Sequence, residues 1–227
     1  MGYRVAMLVS GAVAMILSQP LGWENTYILM AFLMTIGMCG TFWGPEPEKL
    51  TAAPKSLAEA VSGPFKNFMS RPTALMFLAM IILYKLGDAF AGSLTTAFLI
   101  REKMFTPAEV GVINKGMGLA ATLIGALLGG ALMAKLGLFR SLLYYGILQA
   151  VSNLSFMVLA AFEKSYVLMA LAVGIENLSG GMGTAAFVAF LMALCDPRYT
   201  ATQFALLSAF ASLGRVFVGP PSGIIAE

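Results

Sequence analysis

Apolar residues run along this chain in long stretches broken by short polar clusters, instead of recurring on one helix face or alternating as in a half-buried strand. A helix that crosses a hydrocarbon core about 30 Å thick needs about 20 mostly apolar residues. Seven stretches approach that length: Tyr3 to Ser18, Thr26 to Trp43, Pro72 to Ile100, Pro107 to Ala134, Arg140 to Phe162, Ser165 to Leu194 and Thr200 to Gly219. Most connections are short and carry turn or capping residues, as in Gln19-Pro20-Leu21-Gly22, Thr106-Pro107-Ala108-Glu109 and Asp196-Pro197. Thr106 is placed to cap a helix whose first residue is Pro107, with Glu109 completing a capping box. The pattern predicts an all-α fold, a polytopic transmembrane helix bundle of about seven spans.

One connection is long. Between Gly44 and Arg71, Pro45, Glu46, Pro47, Glu48, Lys49 and Lys55 precede an amphipathic stretch from Leu57 to Met69. This predicts an extramembrane linker, residues 44–71, with a helix lying at the membrane surface. It separates a part with two spans, 1–43, from a part with five, 72–227.

Composition agrees with a membrane class and removes others. Hydrophobic residues make up 59% of the chain and charged residues only 11%, against about 25% charged in an ordinary soluble domain. The net charge of +3 comes from scattered basic residues, so nothing suggests a nucleic-acid partner. With no histidine and only Cys39 and Cys195, the usual zinc spacings, a thioredoxin-type pair and a His-dependent triad are all excluded. No cofactor, metal or enzymatic activity is expected. The apolar run Val5 to Leu17 lacks a small-residue cleavage site and reads as a helix of the mature chain, not a signal peptide.

Charge placement carries the functional information. With a cytoplasmic N-terminus, the inside loops hold Arg4, Lys49, Lys55, Lys66, Arg71, Lys135, Arg140 and Arg198, and the outside loops only Arg101, Lys103 and Lys164, as the positive-inside rule requires. Both cysteines then lie towards the reducing side and no disulfide is expected. Five of the remaining charges lie well inside spans: Lys85, Asp88, Lys115, Glu176 and Arg215. A charge at mid-membrane costs about 2.5–3.5 kcal/mol on insertion scales, so each should face a partner or a watery cavity. Glu176 follows Lys164 by about 12 residues, which at about 1.5 Å per residue places it about 18 Å deep. Lys85 and Asp88 are three apart on one helix face, where they either neutralise one another or serve a cavity. Lys115 has the option of snorkelling to an interface, whereas Arg215 is too deep and calls for a buried partner such as Glu176. The second span, and the fifth from Ser141 to Phe162, carry no charge and read as lipid-facing. The third, fourth, sixth and seventh are expected to surround a polar cavity.

Uncharged polar residues fall mostly in those same spans, among them Asn114, Asn177, Ser179, Gln203 and Ser208. Gln149 and Asn153 in the fifth span are exceptions that suit hydrogen bonds between helices. Gly125 and Gly129 have GxxxG spacing, and Gly180, Gly181 and Gly183 cluster one turn beyond Glu176. Close helix packing is the favoured reading, and a flexible element that bends the sixth helix during gating is the alternative.

The turn after the fourth span, Gly130-Ala131-Leu132-Met133-Ala134-Lys135-Leu136-Gly137-Leu138-Phe139-Arg140, resembles the cytoplasmic loop signature of the major facilitator superfamily, GxxxD(R/K)xGxx(R/K). Gly130, Lys135, Gly137 and Arg140 match it, and Ala134 replaces its acidic residue. The resemblance implies that the spans are about helices five to eleven of a twelve-helix transporter. Residues 1–43 would be the last two helices of the N-terminal bundle and 72–227 an incomplete C-terminal bundle. Helices seven, eight, ten and eleven would have cavity contacts, and six and nine would be peripheral.

Five further passages resemble the muropeptide permeases of that superfamily: Met7 to Ala12, Tyr84 to Phe90, Glu176 to Gly183, Ala201 to Ser208 and Gly214 to Val216. This implies proton-driven import of anhydromuropeptides across the bacterial inner membrane, feeding cell-wall recycling. Lys85, Asp88, Lys115, Glu176, Asn177, Gln203 and Arg215 are the candidate substrate and proton pathway. Glu176 or Asp88 would take the proton, and Lys85 or Arg215 would attract substrate carboxylates. The partners implied are the substrate, protons, the bilayer and the missing N-terminal helices. Transport of another small amphiphile and a non-transporting membrane scaffold are the competing readings.

Overall fold

The computed structural model describes residues 14–44 and 56–225, apart from some side chains, those of Lys115 and Arg215 among them. The first expected span up to Val13, the linker 45–55 and the passage Met7 to Ala12 lie outside the described residues. The chain forms two compact units, 1–50 and 51–227.

In the first unit the described helix is α1, Ala14–Trp43. The expected turn at Gln19 to Gly22 takes the form of a break inside this helix, where Gly22 adopts φ +74° and ψ 163°. Such a φ suits glycine, which has no Cβ to clash. Helical structure resumes beyond it with the Thr26 hydroxyl donating to the Gly22 carbonyl at 2.8 Å. From Tyr27 to Trp43 apolar side chains are exposed, including Ile28, Phe32, Met34 and Phe42. An apolar surface of this kind belongs in hydrocarbon.

The second unit is a helical bundle. Its elements are α2 (Leu57–Met69), α3 (Ala74–Ala97), α4 (Pro107–Ile113), α5 (Leu119–Leu136), α6 (Leu138–Ser152), α7 (Leu154–Ala161), α8 (Tyr166–Leu194) and α9 (Thr200–Ile225). A π-helical turn, Phe98–Glu102, extends α3, and another, Asn114–Gly118, joins α4 to α5. Among the described residues five helices are long and apolar enough to cross a membrane: Pro20–Trp43, Ala74–Glu102, Pro107–Leu136, Leu138–Ala161 and Tyr166–Leu194. Helix α9 occupies the position expected of the seventh span.

Helix α8 is the centre of the unit and packs against α5, α6 and α7. Glycines make the α5–α8 contact possible. A Cβ on Gly125 would lie 2.1 Å from the Leu178 carbonyl oxygen, and one on Gly181 would lie 2.3 Å from that of Thr122. On Gly129 it would meet the Met182 Cα at 2.7 Å. Backbones can approach this closely only without side chains between them. Helix α8 runs unbroken from Tyr166 to Leu194 through Gly180, Gly181 and Gly183, so these glycines act in contacts and make no kink.

The amphipathic helix α2 is not a detached surface helix. Ser56 caps it by accepting from the Glu59 amide at 3.2 Å, and Phe68 is buried in the bundle core beside Leu78 and Leu207. Gln203, 1% exposed, donates to the Pro64 carbonyl and to Asn67 Oδ1, both at 3.0 Å, while its own oxygen accepts from the Asp196 amide at 2.7 Å. Arg71 lies over the Phe68 ring and donates to the Leu194 carbonyl at 2.5 Å, closing the C-terminal end of α8.

At the opposite end, the expected capping box at Thr106 and Glu109 is formed. Lys164 donates to the Met104 carbonyl at 2.9 Å and to Glu109 at 3.4 Å, Tyr166 donates to Glu109, and Lys103 donates to the carbonyls of Ala160 and Phe162, each at 2.7 Å. Two loops are thereby tied together. In the loop motif, Gly137 makes the turn between α5 and α6 with φ +80°.

The glycine geometry predicts a sharp contrast. Gly125→Ala and Gly181→Ala force backbones apart and should each destabilise the protein by about 1–3 kcal/mol or more. Gly130→Ala, with nothing within 4 Å of the added methyl, should be silent. Thermal unfolding in detergent measures the difference.

Candidate functional site

The third span brings Lys85 and Asp88 onto one face of α3, one turn apart. Lys85 Nζ donates to Asp88 Oδ2 at 2.8 Å, and the side chains are 20% and 25% exposed. The ammonium also lies 3.5 Å from Thr184 Oγ1 and 5.2 Å from the centre of the buried Phe187 ring. Phe187 in turn stacks on Tyr84 with centroids 5.3 Å apart. Helix α8 thus supplies both a hydroxyl and an aromatic face to the cation. The second oxygen of Asp88 is not free: Gln149 Nε2, from α6, donates to Asp88 Oδ1.

These groups border a cavity of about 760 Å³. Helix α3 contributes Lys85, Asp88 and Ser93, α5 contributes Thr122, and α6 contributes Gln149. Glu176, Asn177 and Thr184 come from α8, and Ser208 and Ser212 from α9. Its volume lies in the upper part of the range occupied by small-molecule sites, about 300–1,000 Å³. A smaller hollow of about 300 Å³ shares Asp88, Gln149 and Glu176 with it and adds Tyr84 and Asn153. The Tyr84 hydroxyl is buried with no hydrogen-bond partner among the described residues.

Glu176 is half-buried on the cavity wall. Among the described residues its carboxylate has neither an ion pair nor a hydrogen bond. Asn177 beside it is fully employed, donating to the Val173 carbonyl at 2.8 Å and accepting from Thr122 Oγ1 at 3.1 Å. The side chains of Lys115 and Arg215, and with them the expected pairing of Arg215 with Glu176, lie outside the described residues.

Two expectations need correction. Gln203 does not border the cavity; it sits near the start of α9, where its amide locks α2 to the bundle. The fifth span is not simply lipid-facing. One side of α6, with Leu143, Ile147 and Val151, is exposed. The other side buries Ser141, Leu142, Tyr145 and Ser152, with the Tyr145 hydroxyl on the Gly129 carbonyl at 2.9 Å and Ser152 bonded to Ser179 at 2.9 Å. Lack of charge reports what faces lipid, and a helix in a bundle has a second face. Of the glycines, Gly125, Gly129 and Gly181 serve helix packing, while Gly180 and Gly183 leave room for Gln149.

A sequence model of the Major Facilitator Superfamily matches residues 1–219. The chain belongs to that superfamily. It is 52% identical over 228 residues to the anhydromuropeptide permease of Escherichia coli K12, a match that takes in all of this chain and 46% of that protein. It is 36% identical to a putative transporter, AmpG 4, of Rickettsia felis over 93% of this chain and 53% of that protein. A putative transporter of Rickettsia typhi, AmpG 3, is 27% identical over all of this chain and 56% of its own length. The chain thus spans about half the length of the curated relatives it matches. As a major facilitator protein with several spanning helices it is a multi-pass membrane protein. Gln149 adds a contribution from the fifth span that the resemblance alone does not imply. Its only signal in the sequence is an amide deep in a span that carries no charge beyond Arg140.

If the Lys85–Asp88 pair is held in a partly dry site, removing either partner leaves an uncompensated charge. Lys85→Met and Asp88→Asn should each lower the thermal midpoint, and the double variant should recover part of the loss. A double-mutant cycle should give a coupling of about 0.5–3 kcal/mol.

Proposed function

We propose that this chain is part of a proton-coupled importer of anhydromuropeptides in the bacterial inner membrane, where it serves cell-wall recycling. Its N-terminus is cytoplasmic, residues 1–43 are the last two helices of the N-terminal bundle, and 44–71 form the central cytoplasmic loop. Residues 72–227 form most of the second bundle. The relatives are about twice as long, and the remainder of such a length supplies the other helices that alternating access needs.

The observation that carries this reading is the contrast between two carboxylates on one cavity. Asp88 is bonded at both oxygens, by Lys85 and by Gln149. Glu176 is bonded at neither among the described residues. A carboxylate with no counter-charge among its described neighbours suits taking a proton from one side and releasing it on the other, and Glu176 is assigned as the proton carrier. Lys85, held by its partner and by the Phe187 ring, presents positive charge to the carboxylates of the peptide. Arg215 of α9 is assigned the same role from its position in the span. The hydroxyls of Thr122, Thr184, Ser208 and Ser212 suit the neutral sugar and peptide groups. The 52% identity to a protein named anhydromuropeptide permease supports this substrate class.

A scaffold reading has less support. The Lys85–Asp88 ion pair lies within one helix, and although Gln149 and Thr184 tie it to α6 and α8, its remaining side borders a cavity that a purely structural centre does not need.

The test uses the E. coli permease with this chain in place of its matching segment, assayed for uptake of labelled anhydromuropeptide by membrane vesicles. Uptake should be abolished by an uncoupler. Glu176→Gln should lower it by about tenfold or more, the equivalent of about 1.4 kcal/mol, and remove its response to an imposed pH gradient. Uptake and pH response both intact in Glu176→Gln would contradict the proton role.

A further inference from the structure

Gln149 is the side chain of α6 that hydrogen-bonds into the ionic centre. Its amide nitrogen donates to Asp88 Oδ1, while Lys85 holds Oδ2 from the other side. The reach depends on Gly183 of α8, with Gly180 at ordinary contact distance beside it. A Cβ on Gly183 would lie 2.8 Å from Gln149 Oε1, and one on Gly180 would lie 3.6 Å from Gln149 Nε2. The glycines form a notch, and the amide lies in it. An ionised carboxylate only accepts hydrogen bonds, so the amide must turn its NH₂ group towards Asp88 and its oxygen towards the notch.

Other groups around the amide do not compete for Asp88. The titratable or charged groups nearby are Tyr84 and Lys85 on α3 and Glu176 on α8, with Thr184 the nearest hydroxyl to the cation. Helices α5 and α9 bring only Thr122, Ser208 and Ser212 from their described side chains. Gln149 and Asp88 also stand between the large cavity and the smaller hollow, since both border each of them. Without Gln149 one oxygen of Asp88 is released, and the carboxylate, together with the lysine it carries, can turn into either space.

We propose that Gln149 is a positioning residue of the transport site: seated in the Gly180–Gly183 notch, it fixes Asp88 and thereby holds the Lys85 ammonium where a substrate carboxylate meets it. This rests on the assignment of Lys85 to substrate binding made above. It implies a defect in affinity greater than the defect in turnover. It also implies a pH signature for one variant. Gln149→Glu places a second carboxylate against Asp88, and two such groups this close cannot both stay ionised. Protonated, the new glutamic acid donates as the amide does.

The experiment compares wild type, Gln149→Met and Gln149→Glu in the E. coli permease carrying this chain. For Gln149→Met the KM for anhydromuropeptide should rise about fivefold or more, as expected for one lost hydrogen bond to a charged group, with Vmax little changed. For Gln149→Glu uptake should be poor near neutral pH and recover in mildly acid medium relative to wild type at each pH. A wild-type KM in Gln149→Met together with a pH-indifferent Gln149→Glu would overturn the proposal. If Gln149→Met fails to accumulate, the pH rescue of Gln149→Glu decides alone. A second readout needs no substrate. Gln149→Met should lower the thermal midpoint of the protein with Lys85 and Asp88 present, and leave it unchanged when both are already replaced, in Lys85→Met/Asp88→Ala. If the parent imports no anhydromuropeptide, the proposed substrate is wrong, and equal effects in the two backgrounds would still overturn the positioning by Gln149.

Discussion

A charge placed inside a bilayer must be met by an opposite charge, by hydrogen bonds or by water, and most of the second unit can be understood from how it meets that requirement at Asp88. Lys85 one turn away answers one oxygen, and Gln149 from a neighbouring helix answers the other. The lysine is in turn placed against a hydroxyl and an aromatic face of α8. The result is an ionic centre whose parts come from three helices and whose remaining side opens on a cavity. Glu176 stands on the same wall outside this arrangement, and that exclusion distinguishes it chemically from Asp88.

The requirement reaches into the packing. Helix α8 can serve the centre only if it lies close to α5 and α6 together. Gly125, Gly129 and Gly181 bring the α5 and α8 backbones into contact, and Gly180 and Gly183 leave the recess that admits the Gln149 amide. A single eight-residue stretch, Glu176 to Gly183, therefore carries a carboxylate with no ion pair among the described residues, the inter-helix amide of Asn177 and glycines at two helix contacts. At the cytoplasmic end assigned above, Gln203 and Arg71 fasten α2 to the bundle, so the helix following the linker moves with the second unit.

Much of this was legible in the sequence because it follows from short-range geometry. Lys85 and Asp88 are three residues apart, and helical periodicity alone makes them neighbours. The depth of Glu176 follows from counting rise per residue, and the capping box at Thr106 from local spacing. What depended on tertiary contact was not legible. Gln149 belongs to a span with no charge beyond Arg140, and whether its amide reaches Asp88 depends on a notch made by glycines about thirty residues later on another helix. Gln203 carries the same functional group but lies near a helix end, where its partners are the backbone of α2. Residue type alone does not separate the two amides. The glycines allowed both packing and bending, and the packing is visible only in the distances to Leu178, Thr122 and Met182.

The central claim is that the ionic centre faces water held within the bundle, and thiol accessibility tests it most directly. Single cysteines at Ala89 and Ser212, which border the cavity, would be compared with cysteines at Leu83 and Val151, which are exposed on the outer surface of the helices. Cys39 and Cys195 are replaced beforehand. Maleimides react with the thiolate, which forms in water and not in hydrocarbon. In native membranes a water-soluble maleimide should modify the Ala89→Cys and Ser212→Cys proteins and leave Leu83→Cys and Val151→Cys unmodified. Equal labelling of both pairs, or labelling of the outer pair alone, would contradict a hydrated cavity around Lys85, Asp88 and Glu176.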